Sequence, residues 1–318
     1  MNMPRGNPSD VDAAACRIVS LLPSATEIVT ALGLRECLAG RSHECDFPPD
    51  VTSLPICCQP TIDVLAPSGQ IHAQVEQRLA SAISLFQLDT DRIATLRPTH
   101  ILTQMQCEVC AVSEQEVQAA VAALADSKPQ ILSLSPGGLS DLWHSIHDVA
   151  SALGISDRGC ELVERLQARL NSIRNRAAQT AHKPRVVCIE WLDPLMTAGN
   201  WIPELVEIAG GQNLVSVAGE HSPWMTWDQL FDADPDVIVI LPCGFDLART
   251  RSEAVILSTN PQWKRLRAAA TGSVFLADGH HYFNRPGPRL VESAEILAEI
   301  LQPEVFPPAQ ENVGWVRM

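Results

Sequence analysis

Several short stretches of this 318-residue chain bring together side chains that can do chemistry. Gln106 leads into Cys107-Glu108-Val109-Cys110, a C-x-x-C pair. Two thiols at that spacing can cycle as a redox pair or give two soft ligands to a metal such as zinc. Arg41 to Pro49 crowds His43, Glu44, Cys45 and Asp46 into a loop closed by two prolines. An imidazole there can ligate a metal, and a His43-x-Cys45 pair can add a thiolate. Asp278 to Arg285 holds His280, His281 and Tyr282. Adjacent histidines on a loop point different ways, so at most one of the two is expected to reach a ligand. Pro23-Ser24 breaks an apolar run just ahead of a helix, and Ser24 is expected to cap that helix and to offer a donor. Trp191, Trp201 and Trp224 supply broad, rigid apolar surface of the kind a large planar ligand needs. Cys57 and Cys58 are neighbours, a spacing too strained for a bond between them.

The elements that must carry these residues can be read from periodicity. Arg17 to Leu22 is a short strand, and Ala25 to Leu32 is a helix ending at Gly33. His100 to Thr103 and Gln130 to Leu134 read as strands, each leading to a helix: Ser113 to Ala125, then Leu139 to Leu153. The longest helical pattern runs from Asp157 to Ala181. A second series follows, with strands at Arg185 to Glu190, Val237 to Leu241 and Ser273 to Leu276, and helices at Pro203 to Ala209 and Gly287 to Leu301. Alternating strands and helices predict α/β architecture: two doubly wound lobes with mainly parallel sheets, joined by one long rigid helix, with a ligand cleft between the lobes. The expected divisions are a disordered segment at 1–15, an N-terminal lobe at 16–154, a linking helix at 155–183, a C-terminal lobe at 184–303 and a tail at 304–318.

Composition narrows the class of partner. With 23 Lys and Arg against 37 Asp and Glu, the net charge is −14. So acidic a chain is repelled by phosphate backbones, which argues against nucleic acid. No apolar run approaches the roughly eighteen residues that span a bilayer. The first sixteen residues hold no hydrophobic core of a signal peptide. The expectation is a cytoplasmic monomer with reduced thiols, or a periplasmic protein if translation starts elsewhere. Walker A, G-x-S-x-G and H-E-x-x-H patterns are absent, and no nucleophile–base pair can be read from spacing.

The order of RIVSLLPSATEIVTALGL, the Arg97-Pro98-Thr99-His100 strand, the long helix, EIAGGQNL, SPWMTWDQLFDADPDVIVI and FNRPGPRLVESAEIL resembles the substrate-binding proteins of cobalamin and iron-chelate ABC importers, over roughly residues 17–303. Within that family it is most similar to the cobalamin-binding branch. The resemblance implies a binding protein, not an enzyme, whose small-molecule ligand is a corrinoid such as cobalamin. Haem, a ferric siderophore or another ferric chelate is the alternative in the same cleft. A thiol- or metal-dependent cytoplasmic protein built on Cys107 and Cys110 is the reading from a different class. From their positions and from the resemblance together, Ser24, His43, Glu44, Cys45, Cys58, Gln106, Cys107, Trp191, Trp201, Trp224, His280, His281 and Tyr282 are expected to border the ligand. His43, Cys107, Cys110 and His281 are the possible metal ligands. Docking on an ABC permease would use one acidic residue per lobe, which falls on Asp91 and on the neutral Asn284. Residues 53–88 carry an insertion relative to compact members, with an extra helix at about Gln70 to Phe86.

Overall fold

The computed structural model describes residues 16–81, 84–104, 114–122 and 128–318. Contacts divide the chain into two units. The first comprises Met1–Thr61, Ala82–Ser135 and Asp141–Arg165; the second comprises Ile62–Ser81, Pro136–Ser140 and Leu166–Met318.

In chain order the first half contains β1 (Ile18–Ser20), α1 (Pro23–Ala31), β2 (Leu38–Ser42), β3 (Ile56–Pro60), α2 (Ser68–Ala80), β4 (Phe86–Leu88), α3 (Thr90–Leu96), β5 (His100–Gln104), α4 (Glu114–Ala122), β6 (Gln130–Leu134), α5 (Leu139–Ala152) and α6 (Ser156–Ala177). The first unit's sheet runs β4-β3-β2-β1-β5-β6, parallel except where β4 returns along β3. Ile18 and Val19 are fully buried in β1, and α1 buries Ala25, Ile28 and Val29 beside them. Because β1 lies between β2 and β5, the chain leaves in opposite directions on either side of it. This is the switch point where α/β sheets leave a crevice beyond their carboxyl ends. The segment at Leu22 to Ser24 follows β1 there, and the residues after Gln104 follow β5.

The second half continues with β7 (Arg185–Leu192), β8 (Leu195–Thr197), α7 (Ile202–Ile208), β9 (Gln212–Asn213), α8 (Trp227–Ala233), β10 (Val237–Ile240), α9 (Leu247–Glu253), α10 (Val255–Ser258), α11 (Arg267–Ala270), β11 (Val274–Ala277), α12 (Leu290–Leu301) and β12 (Trp315–Arg317). The sheet runs β12-β11-β10-β7-β8, with β9 also on β7. β7, β10 and β11 are parallel, and every residue of β10 and β11 is buried, as strands covered on both faces require. Thr226 and Gln229 close a capping box at the start of α8.

Four expected boundaries are corrected. The proposed tail at 304–318 ends in a sheet strand: Val316 pairs with Leu276, and the Trp315 indole donates to Glu299 at 2.9 Å. Its prolines made it look unstructured, yet the last apolar residues complete an edge. The division at 154 fails because Ile62–Ser81 belongs to the second unit. Ala66 and Ile71 are buried in that core, and Arg249 donates to the carbonyls of Val64 and Ala66. The linking helix expected at 155–183 is α6, which ends at Ala177, and the unit boundary falls inside it, after Arg165. The inserted helix stops at Ala80, and Phe86 opens β4 instead. The segment expected to be disordered, 1–15, lies outside the described residues.

Candidate functional site

In the second unit the loops after β7, β10 and β11 leave the same end of the sheet. The chain after β11 makes one π-helical turn, Gly279–Phe283. Gly279 is required there, because a Cβ would lie 2.7 Å from the Leu241 carbonyl oxygen and collide with that of Pro242. The Asn284 amide donates to the carbonyls of Leu241 and Gly279, both at 3.1 Å. The His280 N–H donates to the Phe245 carbonyl at 3.0 Å. The turn is thereby locked against the exit of β10.

The two adjacent histidines sit in different chemistry. Asp278 is buried, and its carboxylate accepts twice from His281: from the backbone N–H at 2.8 Å and from Nδ1 at 2.7 Å. A carboxylate can only accept here, so Nδ1 carries a proton. Such carboxylate–imidazole pairs fix the tautomer and raise the basicity of a metal-ligating nitrogen. The His281 side chain is 38% exposed. His280 is occupied otherwise, since the buried Arg285 guanidinium lies 2.7 Å from its Nε2 and must be the donor. The two rings meet edge to face, 4.6 Å apart. The Tyr282 ring is partly exposed, with the Arg289 guanidinium 4.5 Å from its centre.

Trp191 is half-buried at the end of β7 and leans on Phe245 at 5.4 Å. Arg249 covers that phenylalanine at 3.8 Å and holds the carbonyls of Val64 and Ala66. Trp224 is 55% exposed, and His72 of α2 meets its face edge-on at 5.0 Å. Glu76 in turn lies 3.3 Å from His72. The inserted segment therefore props both indoles. Trp201 is a correction: it is buried, and its N–H donates to the Phe283 carbonyl at 2.8 Å. It holds the histidine turn in place instead of facing a ligand. Glu190, which the sequence reading passed over, accepts from Ser222 Oγ at 2.6 Å beside Trp191.

In the first unit, α1 begins at Pro23 with Leu22 at the cap. Ser24 is thus in the first turn, buried, and does not cap the helix as expected, because the proline already fixes the entry. Ser20 Oγ donates to the Leu22 carbonyl at 3.0 Å and pins the turn. Thr26 Oγ1 lies 2.8 Å from Ser20 Oγ and 3.0 Å from Cys45 Sγ. Cys45 is consequently a core thiol, fully buried, and not a partner to His43 on a ligand surface. Cys58 is withdrawn on the same ground. It packs in the core, and burial, reinforced by Cys45, pushes its thiol up to about 12. Cys57 is pushed up to about 11, again mainly by burial. Thiols so shifted stay protonated and make poor ligands.

The loop after β2 is shaped by the buried Arg41, which donates to the carbonyls of Ser42, His43 and Thr52. His43 and Glu44 are half-buried there, with Nε2 and Oε1 3.9 Å apart, and the His43 ring lies 6.0 Å from Phe86. Asp91 is exposed in the first turn of α3. Gln106, Cys107 and Cys110 lie outside the described residues.

Comparison with known proteins gives these arrangements a context. A family model described as periplasmic binding protein matches residues 18–280. An uncharacterized ABC transporter substrate-binding lipoprotein of Bacillus subtilis, YvrC, is 24% identical over 91% of this chain and 81% of its own length. A vitamin B12-binding protein of Photorhabdus laumondii is 23% identical over 91% of this chain and 89% of its own. A periplasmic heme binding protein of Pseudomonas aeruginosa superposes with a TM-score of 0.69 at 21% identity, covering 91% of this chain and 93% of the other. The family description and two of these relatives, one named a lipoprotein and one a periplasmic protein, overturn the cytoplasmic expectation. No helix among the described residues is long and apolar enough to cross a membrane.

Proposed function

Since the chain belongs to the periplasmic binding protein family, we propose that it binds a planar metal tetrapyrrole, a corrinoid or haem, and that His281 occupies an axial position on the metal. The chain is a substrate-binding protein of the ABC-importer type and not an enzyme. The observation that carries the ligand reading is the buried Asp278 carboxylate on His281 Nδ1. It presents an oriented imidazole on the turn whose His280 N–H is bonded to the carbonyl of Phe245, the ring that packs against Trp191. A metal chelate with an open axial position is the ligand chemistry that uses both. A bulky apolar ring lies against indole, and the metal takes the nitrogen.

Delivery to a membrane permease is part of the same proposal. Asp91 offers an exposed carboxylate for it, whereas Asn284 spends its amide on the carbonyls of Leu241 and Gly279.

Separate absorbance titrations with hydroxocobalamin and with haemin test the reading. Binding of one, with a spectral shift that disappears in His281→Ala, is the expected result. Binding of a ferric siderophore with neither tetrapyrrole bound would move the ligand to the alternative class and remove the axial role.

A further inference from the structure

Cys16 stands two residues before β1, and Cys37 stands directly before β2. Ile18 and Leu38 are partners in the parallel pairing of those strands. The two cysteines therefore lie on the chain segments that lead into neighbouring strands, and the usual strand spacing of about 4.8 Å falls within the Cα separation of about 4.4–6.8 Å that a disulfide accepts. Burial, reinforced by the neighbouring Cys16, pushes the Cys37 thiol up to about 11. Both are buried, at 8% and 2% exposure.

We propose that Cys16 and Cys37 form a disulfide when the chain folds in an oxidising compartment. The inference is independent of the ligand. It uses only the geometry at the head of β1 and the extracytoplasmic setting for which the relatives are named. The oxidant is a small-molecule or protein disulfide. One cysteine thiolate attacks it, releases the first leaving thiol and forms a mixed disulfide. The second cysteine then attacks the bound sulfur and releases the other leaving thiol. The two cysteines lose two electrons and two protons, and the oxidant becomes two thiols. Exchange belongs to the folding chain, since neither sulfur is open to a protein oxidant once the strands have closed. The bond would close the loop that contains α1 and fix the turn that places Pro23 and Ser24 at the switch point.

The protein is unfolded, refolded with reduced and oxidised glutathione, treated with N-ethylmaleimide and digested with trypsin. Cleavage separates Cys16 on Gly6 to Arg17 from Cys37 on Glu36 to Arg41, while Cys45, Cys57 and Cys58 share Ser42 to Arg78. The expected product is the Gly6–Arg17 peptide linked to Glu36–Arg41, 2 Da lighter than their sum and split by reductant. The refolded protein should also melt several degrees higher than its reduced form, and Cys37→Ser should abolish that difference. Recovery of Cys16 and Cys37 both alkylated overturns the proposal, as does a link from either to a third cysteine. A link confined to Ser42–Arg78 counts equally against it.

Discussion

His280 and His281 are one residue apart and chemically opposite, because one faces a buried arginine and the other a buried carboxylate. Asp278→Asn tests whether that carboxylate matters to binding. The amide can still accept from the His281 N–H, but its NH2 cannot accept from Nδ1, so the ring must turn over its tautomer or rotate. Affinity for the bound tetrapyrrole is expected to fall about 10- to 100-fold, the usual cost of losing a group that orients a metal ligand. The imidazole-dependent absorbance shift should weaken with it. Unchanged titration curves would show that Asp278 does not prepare His281. The sequence displayed both histidines without saying which one is prepared. The signal was three residues upstream, where an aspartate after an apolar strand both starts a turn and reaches the residue three along. The thiols show the reverse. Cys45 and Cys58 looked like site residues because cysteine is chemically versatile, but small apolar side chains are also what a tight core prefers.

Elements were legible where composition alone dictates them. β1, β5, β10 and β11 are short apolar runs, and each was expected close to its observed place. β2 reads Leu38-Ala39-Gly40-Arg41-Ser42 and owes its strand to its neighbours, with no Cβ tolerated at Gly40 against Cys57 and Leu96. No periodicity announces such a strand, and the same holds for β8, β9 and β12. β5 carries a titratable consequence. His100 is half-buried, with Nδ1 2.9 Å from Thr99 Oγ1, and burial lowers its pKa below its ordinary 6.5 against a raising contribution from the Ala152 backbone. Below about pH 6.5 the unfolded chain takes up a proton that the folded chain refuses, so stability rises with pH across that interval and is complete above it. His100→Gln is expected to flatten this part of the profile, read as urea midpoints at pH 5 and pH 7.5. An equally steep profile in the variant would exclude His100 as its source.

At the scale of the whole molecule the chain does not fill one unit and then the other. It changes unit after Thr61, Ser81, Ser135, Ser140 and Arg165. A linear reading of alternating strands and helices recovers two α/β bodies but assigns each a continuous stretch, because periodicity reports a segment's own face and not whose core it joins. The inserted segment shows the cost of that assumption. Gly69 approaches Asp193 so closely that a Cβ would lie 2.7 Å from its carboxylate, and Ile71 packs with the core of β7 and β10. Arg249 bonds to its carbonyls while lying on Phe245, so the segment that completes the core also steadies the Trp191 wall. A polypeptide of residues 166–318 alone should therefore be incomplete. Restoring residues 62–81 on a flexible Gly/Ser linker returns one large and one small apolar side chain to the core. It also returns two carbonyl acceptors to Arg249. Together these are expected to add about 2–4 kcal/mol to its resistance to urea. The linked form should also bind less of a dye that reports exposed apolar surface. Equal midpoints and equal dye binding for the two polypeptides would mean that the inserted segment rests on the second unit without stabilising it.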